Sequence, residues 1–164
     1  MTERTSGIRH NLSIAIAPVM IVVAALALGQ AATFPNLAPW YAGLVKPSFN
    51  PPNWIFGPVW TSLYALMAFA AYRILKLPAS PERQRAITLF GLQLLFNAAW
   101  SWMFFAAHSP LLGLINIVPQ LGLVIATVIA FYRLDRVAAA CMAPLALWVG
   151  FAALLNAAIF ILNR

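Results

Sequence analysis

Five apolar runs, each near the length a helix needs to cross a bilayer, constrain this chain more than any other feature. A hydrocarbon core of about 30 Å takes about 20 helical residues. Runs of that order extend from Leu12 to Thr33, Trp54 to Lys76, Ala86 to Ala107, Leu112 to Tyr132 and Val137 to Leu162. In lipid every backbone N–H and C=O must be satisfied within the structure, which leaves helices or a closed barrel. Runs this long and continuous choose helices. The expected fold class is an all-α integral membrane protein, a five-helix transmembrane bundle forming one domain over residues 1–164, with a Pro-rich loop between helices 1 and 2. With 63% of residues hydrophobic and 8% charged, the chain lies outside the range of soluble domains. The first run could also serve as a secretory signal, since Arg4 and Arg9 precede it and Ala25-Leu26-Ala27 resembles a cleavage site. It is long for a signal, and a retained helix is the expectation.

The charges sort by loop. With the amino terminus inside, Arg4, Arg9, Arg73, Lys76, Arg83, Arg85, Arg133 and Arg136 fall on one side, leaving Lys46 and Arg164 on the other. That bias predicts a cytoplasmic amino terminus, an external carboxyl terminus and a bacterial inner membrane, with an outer membrane as the alternative. The net charge of +7 is thus a topology signal, and no nucleic-acid partner is expected. The acids Glu3, Glu82 and Asp135 belong to the same side, and none is inside a span. Proton pumps, ion-coupled transporters and voltage sensors need titratable groups at membrane depth, so these classes recede. His10 and His108 are isolated and Cys141 stands alone in an apolar run, so neither a metal site nor a disulfide is expected.

Between the first two runs lies WYAGLVKPSFNPPNWIFGPVWTSLY, residues 40–64, with three of the six tryptophans. Pro47, Pro51 and Pro52 fix φ and remove backbone donors, so this stretch cannot be one helix. Together with Phe49 they predict an ordered lid that holds Trp40 over whatever the helices enclose. Pro18, Pro58, Pro119 and Pro144 fall inside runs and favour kinks.

The spans carry uncharged polarity at helical spacing: Gln93 and Asn97, Asn116 and Gln120, and Asn156. Such amides serve as hydrogen-bond links between helices or as polar contacts in a cavity. Aromatics share their faces. Trp60, Tyr64 and Met67 recur on the second run, Asn97, Trp100, Ser101, Phe104 and Phe105 on the third, and Trp148, Phe151, Ala152 and Asn156 on the fifth. Trp40, Trp54 and Trp102 fit an interfacial belt, whereas Trp60, Trp100 and Trp148 lie deeper. Three inward indoles and a few amides make either a packed core or a flat-walled pocket suited to a planar hydrophobic ligand.

WYAGLVKPSFNPPNW, GPVWTSLY, QLLFNAAWSWMFF and LWVGFAALLN together resemble the signature blocks of the TspO/MBR family of tryptophan-rich sensory proteins and mitochondrial translocator proteins. The resemblance covers about Leu12 to Asn163. It implies a five-helix bundle, dimeric in many members, with a pocket for tetrapyrroles such as protoporphyrin IX and, in some members, sterols or benzodiazepine-type ligands. It implies ligand contacts from Trp60, Tyr64, Asn97, Trp100, Phe104, Trp148 and Ala152, with Trp40 and the Pro-rich loop as lid; the aromatic face of the fifth run adds Phe151 to the expected ligand-binding residues. Trp60 and Trp148 are also implicated in light-dependent porphyrin breakdown, as possible redox relays. No tightly bound cofactor is implied, and axial haem ligation by His108 is the lesser reading beside an interfacial side chain. The chain departs from many relatives at Phe49, Trp102 and Leu145, where they carry tryptophan, proline and tyrosine. Phe160 near Arg164 replaces the tyrosine of the proposed sterol motif. Binding of a porphyrin by a regulator, scavenger or carrier is the leading expectation, with enzyme-like degradation and a structural assembly role as alternatives. Conventional catalytic residues are not expected, because no acid, base or metal constellation is present.

Overall fold

The computed structural model describes residues 2–164, with side chains described from residue 16 onward. The charges at Glu3, Arg4 and Arg9 and the imidazole of His10 lie outside the described side chains. Five helices follow one another: α1 Thr2–Thr33, α2 Asn53–Leu75, α3 Pro81–Ser101, α4 Pro110–Leu134 and α5 Arg136–Leu162. All five are long and apolar enough to cross a membrane, and no strand occurs among the described residues. The expected all-helical membrane bundle is what the chain forms.

Local chemistry sets the helix ends. Ser80 caps α3 by accepting from the Arg83 amide at 3.1 Å, and Ser109 caps α4 by accepting from the Leu112 amide at 3.2 Å. In each case a proline follows at the first helical position, where its missing N–H costs nothing. Both helices thus begin before their apolar runs, because a capped polar turn comes first. Between α4 and α5 the chain reverses through Asp135 alone, in extended conformation (φ −155°, ψ 110°). Its Oδ1 accepts from the amides of Val137 and Ala138, while Oδ2 pairs with Arg73 of α2 at 2.8 Å. Desolvation pushes the Asp135 carboxyl up, but the Arg73 hydrogen bond, the two amides and the Arg73 charge outweigh it and hold it below the usual carboxylate range.

Prolines 18, 58, 119 and 144 lie inside α1, α2, α4 and α5, and each helix continues through its proline. The irregular backbone falls elsewhere. A widened π-type turn, Trp102–Ala106, extends α3, and a tight 3₁₀ turn at Phe34–Asn36 and a second π-type turn at Leu37–Tyr41 follow α1. At its centre the bundle buries Met67 and Ile74 of α2, Phe131 of α4 and Met142 and Leu145 of α5, with the Phe90 and Phe131 rings stacked at 5.9 Å. Toward the other end a smaller cluster of Tyr41, Phe104, Phe105, Leu155 and Ile159 forms beside a cavity.

Candidate functional site

The cavity encloses about 400 Å³, within the range of small-molecule sites. All five helices reach its wall. From α2 come Trp60 and Tyr64, one turn apart; from α3, Asn97 and Trp100, with Phe104 from the π turn; and from α5, Trp148 and Ala152. These seven of the nine ligand-contact residues expected from the sequence meet at one wall. The other two do not line it. Trp40 sits behind, edge-on to Phe104 and Phe105 and stacked on His108 at 4.8 Å, and Phe151 packs between Trp148 and Phe49.

Ring orientations follow from a few hydrogen bonds. Trp60 lies edge to face with Trp148, centroids 6.5 Å apart and planes at 87°. Trp100 stacks on Phe104 at 4.9 Å, and its indole N–H donates to Asn156 Oδ1 at 3.1 Å. Asn156 Nδ2 in turn donates to the Pro110 carbonyl at 2.8 Å, so one amide ties α5 to both α3 and the start of α4. Gly113 makes room for it: a Cβ there would stand 2.7 Å from Asn156 Oδ1. The Tyr64 hydroxyl donates to Asn97 Oδ1 at 2.5 Å, so that carbonyl is already engaged. Trp148 and Gln120 line the same wall, and their Nε1 and Oε1 have no partner among the described residues. An unmet buried polar atom costs about 1–3 kcal/mol. Among the described residues no charged side chain lines the cavity.

The expected lid is anchored at both ends, and its proline-rich middle stays off the wall. Tyr41, Ala42 and Asn53 line the cavity, while Pro47, Phe49, Pro51 and Pro52 do not. Asn163, just past α5, clasps Val45 in both directions, accepting from its amide and donating to its carbonyl at 2.9 Å each. Lys46 Nζ donates to the carbonyls of Tyr41 (2.7 Å) and Leu44 (3.2 Å) and lies 4.5 Å over the Tyr41 ring. His108, at positive φ (51°) just past the π turn, donates from Nε2 to Asn36 Oδ1 at 2.7 Å. Its imidazole serves the loop and does not line the cavity. Trp54 and Phe34 are 73% and 66% exposed and also line the cavity, placing its mouth between the end of α1 and the start of α2.

Other wall residues carry weaker signals in the sequence. Leu26, Gly29, Gln30 and Thr33 of α1 line the cavity at helical spacing, but an apolar first span offers no aromatic to mark the face. Gln120 stands out in the sequence only as an amide, and Phe56 only as part of the proline-rich stretch.

A family model described as TspO/MBR family matches residues 17–162. The chain belongs to the TspO/MBR family. Among its relatives, the tryptophan-rich protein TspO of Chlorobaculum tepidum is 42% identical over 142 residues, covering 84% of this chain and 90% of that protein. The tryptophan-rich protein TspO of Archaeoglobus fulgidus is 38% identical over 148 residues, covering 88% and 95%. The translocator protein of Sus scrofa is 39% identical over 119 residues, covering 71% and 70%. Family membership and five apolar helices make this TspO/MBR chain an integral, multi-pass membrane protein.

Proposed function

We propose that this chain binds a planar tetrapyrrole of the porphyrin type in the cavity and acts as its regulator, scavenger or carrier. The observation that carries this reading is the convergence of Trp60, Trp100 and Trp148 from three helices on one uncharged chamber. Indole faces supply stacking area, and edge-to-face partners fix their planes. The relatives' names, tryptophan-rich sensory protein and translocator protein, agree with sensing or binding. Titrating protoporphyrin IX against the purified protein in detergent, read by quenching of tryptophan fluorescence, tests it. Replacing Trp60 and Trp148 together by phenylalanine should weaken binding at least about tenfold, ~1.4 kcal/mol; unchanged affinity would remove the site.

A second reading, breakdown of the bound porphyrin by light and molecular oxygen, draws on the 6.5 Å contact between Trp60 and Trp148, close enough to pass an electron between indoles. Bleaching that proceeds equally fast with the double phenylalanine variant would leave binding alone.

A further inference from the structure

We propose that Gln120 sets which flat ligands the cavity prefers, favouring those whose buried edge carries an uncharged N–H donor beside a carbonyl, as a lactam does. This deepens the reading of the cavity as a site for a planar ligand and rests on it. Three of the amides in α3, α4 and α5 reach the wall: Asn97, Gln120 and Asn156. The carbonyl of Asn97 is taken by Tyr64, and both ends of the Asn156 amide are taken by Trp100 and Pro110. Gln120 Oε1 has no partner among the described residues, although the side chain is only 2% exposed. Gln93 and Asn116 also bury an unpartnered oxygen, but they lie off the cavity.

An amide held between helices as a structural link has its partners; this one faces a chamber without them. The last torsion of a glutamine is broad and two-fold, so the amide can turn either its oxygen or its N–H toward a ligand. A group that both accepts and donates in one plane pairs at two points with a lactam edge. An ionised group at that buried edge is disfavoured, because the described residues give the wall no counter-charge and desolvating a carboxylate there is costly, so the propionates of a porphyrin would have to lie at the mouth. A site whose buried polar group is left unpaired by the wrong analogue discriminates far more strongly than one that misses a methylene.

The test uses the full chain in detergent and a matched pair, a dipyrrinone and its lactim O-methyl ether, which has nearly the same shape but lacks the lactam N–H and carbonyl. Tryptophan quenching should show about tenfold tighter binding of the dipyrrinone. Gln120→Met, near in volume but without the amide, should bring that ratio to about one. Equal affinity of the wild type for the pair, binding of neither member, or a ratio that survives in Gln120→Met overturns the assignment. Because the pair is compared on the wild type first, the assignment remains exposed to refutation even where the variant fails to fold. Protoporphyrin binding without discrimination sinks the Gln120 role alone; discrimination without protoporphyrin binding sinks the tetrapyrrole reading and leaves Gln120 in place.

Discussion

Replacing Gly113 by alanine adds one methyl group where the bundle has no room for it. The new Cβ would lie 2.7 Å from Asn156 Oδ1, 2.9 Å from Phe104 Cδ2 and 3.1 Å from Phe104 Cβ, against an ordinary contact that begins at 3.4 Å. Asn156 cannot simply swing away, because its amide holds both the Trp100 indole and the Pro110 carbonyl. Overpacking of this kind costs about 1–3 kcal/mol, and breaking the indole hydrogen bond adds about 1 kcal/mol. Alanine's better helix propensity returns at most about 1 kcal/mol. The net loss is about 1–3 kcal/mol, a drop in melting temperature of about 3–9 °C for a chain of this size. Gly122 of the same helix has nothing within 4 Å of its would-be Cβ, so Gly122→Ala should be neutral or stabilising. Thermal unfolding of both variants in one detergent makes the comparison. Removing the Asn156 side chain first, by Asn156→Ala, should relieve much of the Gly113→Ala penalty, since the two sites share one contact. Equal, favourable effects of alanine at both glycines would refute the claim that close approach of α4 to α5 fixes the Trp100 wall.

Tyr64→Phe leaves the Asn97 carbonyl buried and unpaired and should cost about 1–3 kcal/mol, measured by unfolding, whereas Tyr64→Phe with Asn97→Leu should recover part of the loss. Asn163→Ala removes both bonds that hold Val45, so limited proteolysis between residues 44 and 52 should quicken severalfold with less than about 1 kcal/mol lost in global stability. The Arg73 pair holds the folded Asp135 carboxyl below its unfolded value of 3.8, so its stabilisation is full above that pH and is lost as pH falls through the depressed value. With Arg73 36% exposed the pair is worth only about 0.5 kcal/mol, so Arg73→Gln should lower stability by that amount above about pH 6 and leave it unchanged once Asp135 is protonated, which flattens the acid limb of a stability-against-pH curve.

Much of the bundle is legible in the sequence because lipid makes span length and apolarity the governing constraint. Helix starts are less so. Counting apolar residues places the third and fourth spans at Ala86 and Leu112, while Ser80-Pro81 and Ser109-Pro110 begin the helices earlier through caps that carry no hydrophobic signal. The wall residues on α2, α3 and α5 follow from aromatics spaced three and four apart. Trp40 does not follow in the same way. Its ring faces a histidine held at positive φ just past a π turn, and such a turn leaves no period in a sequence. Each of the four in-span prolines lies within a continuous helix, while π and 3₁₀ turns form where Trp102 and Phe34 stand.

The rim made by Phe34 and Trp54 gives the chamber an oily doorway. Under the proposed binding role, an apolar guest concentrated in the acyl chains would meet that rim without first crossing bulk water. Occupancy is then governed by how many guest molecules there are per lipid, so adding empty bilayer at a fixed total of guest should strip the protein of it as surely as dilution strips a water-borne ligand from a soluble receptor.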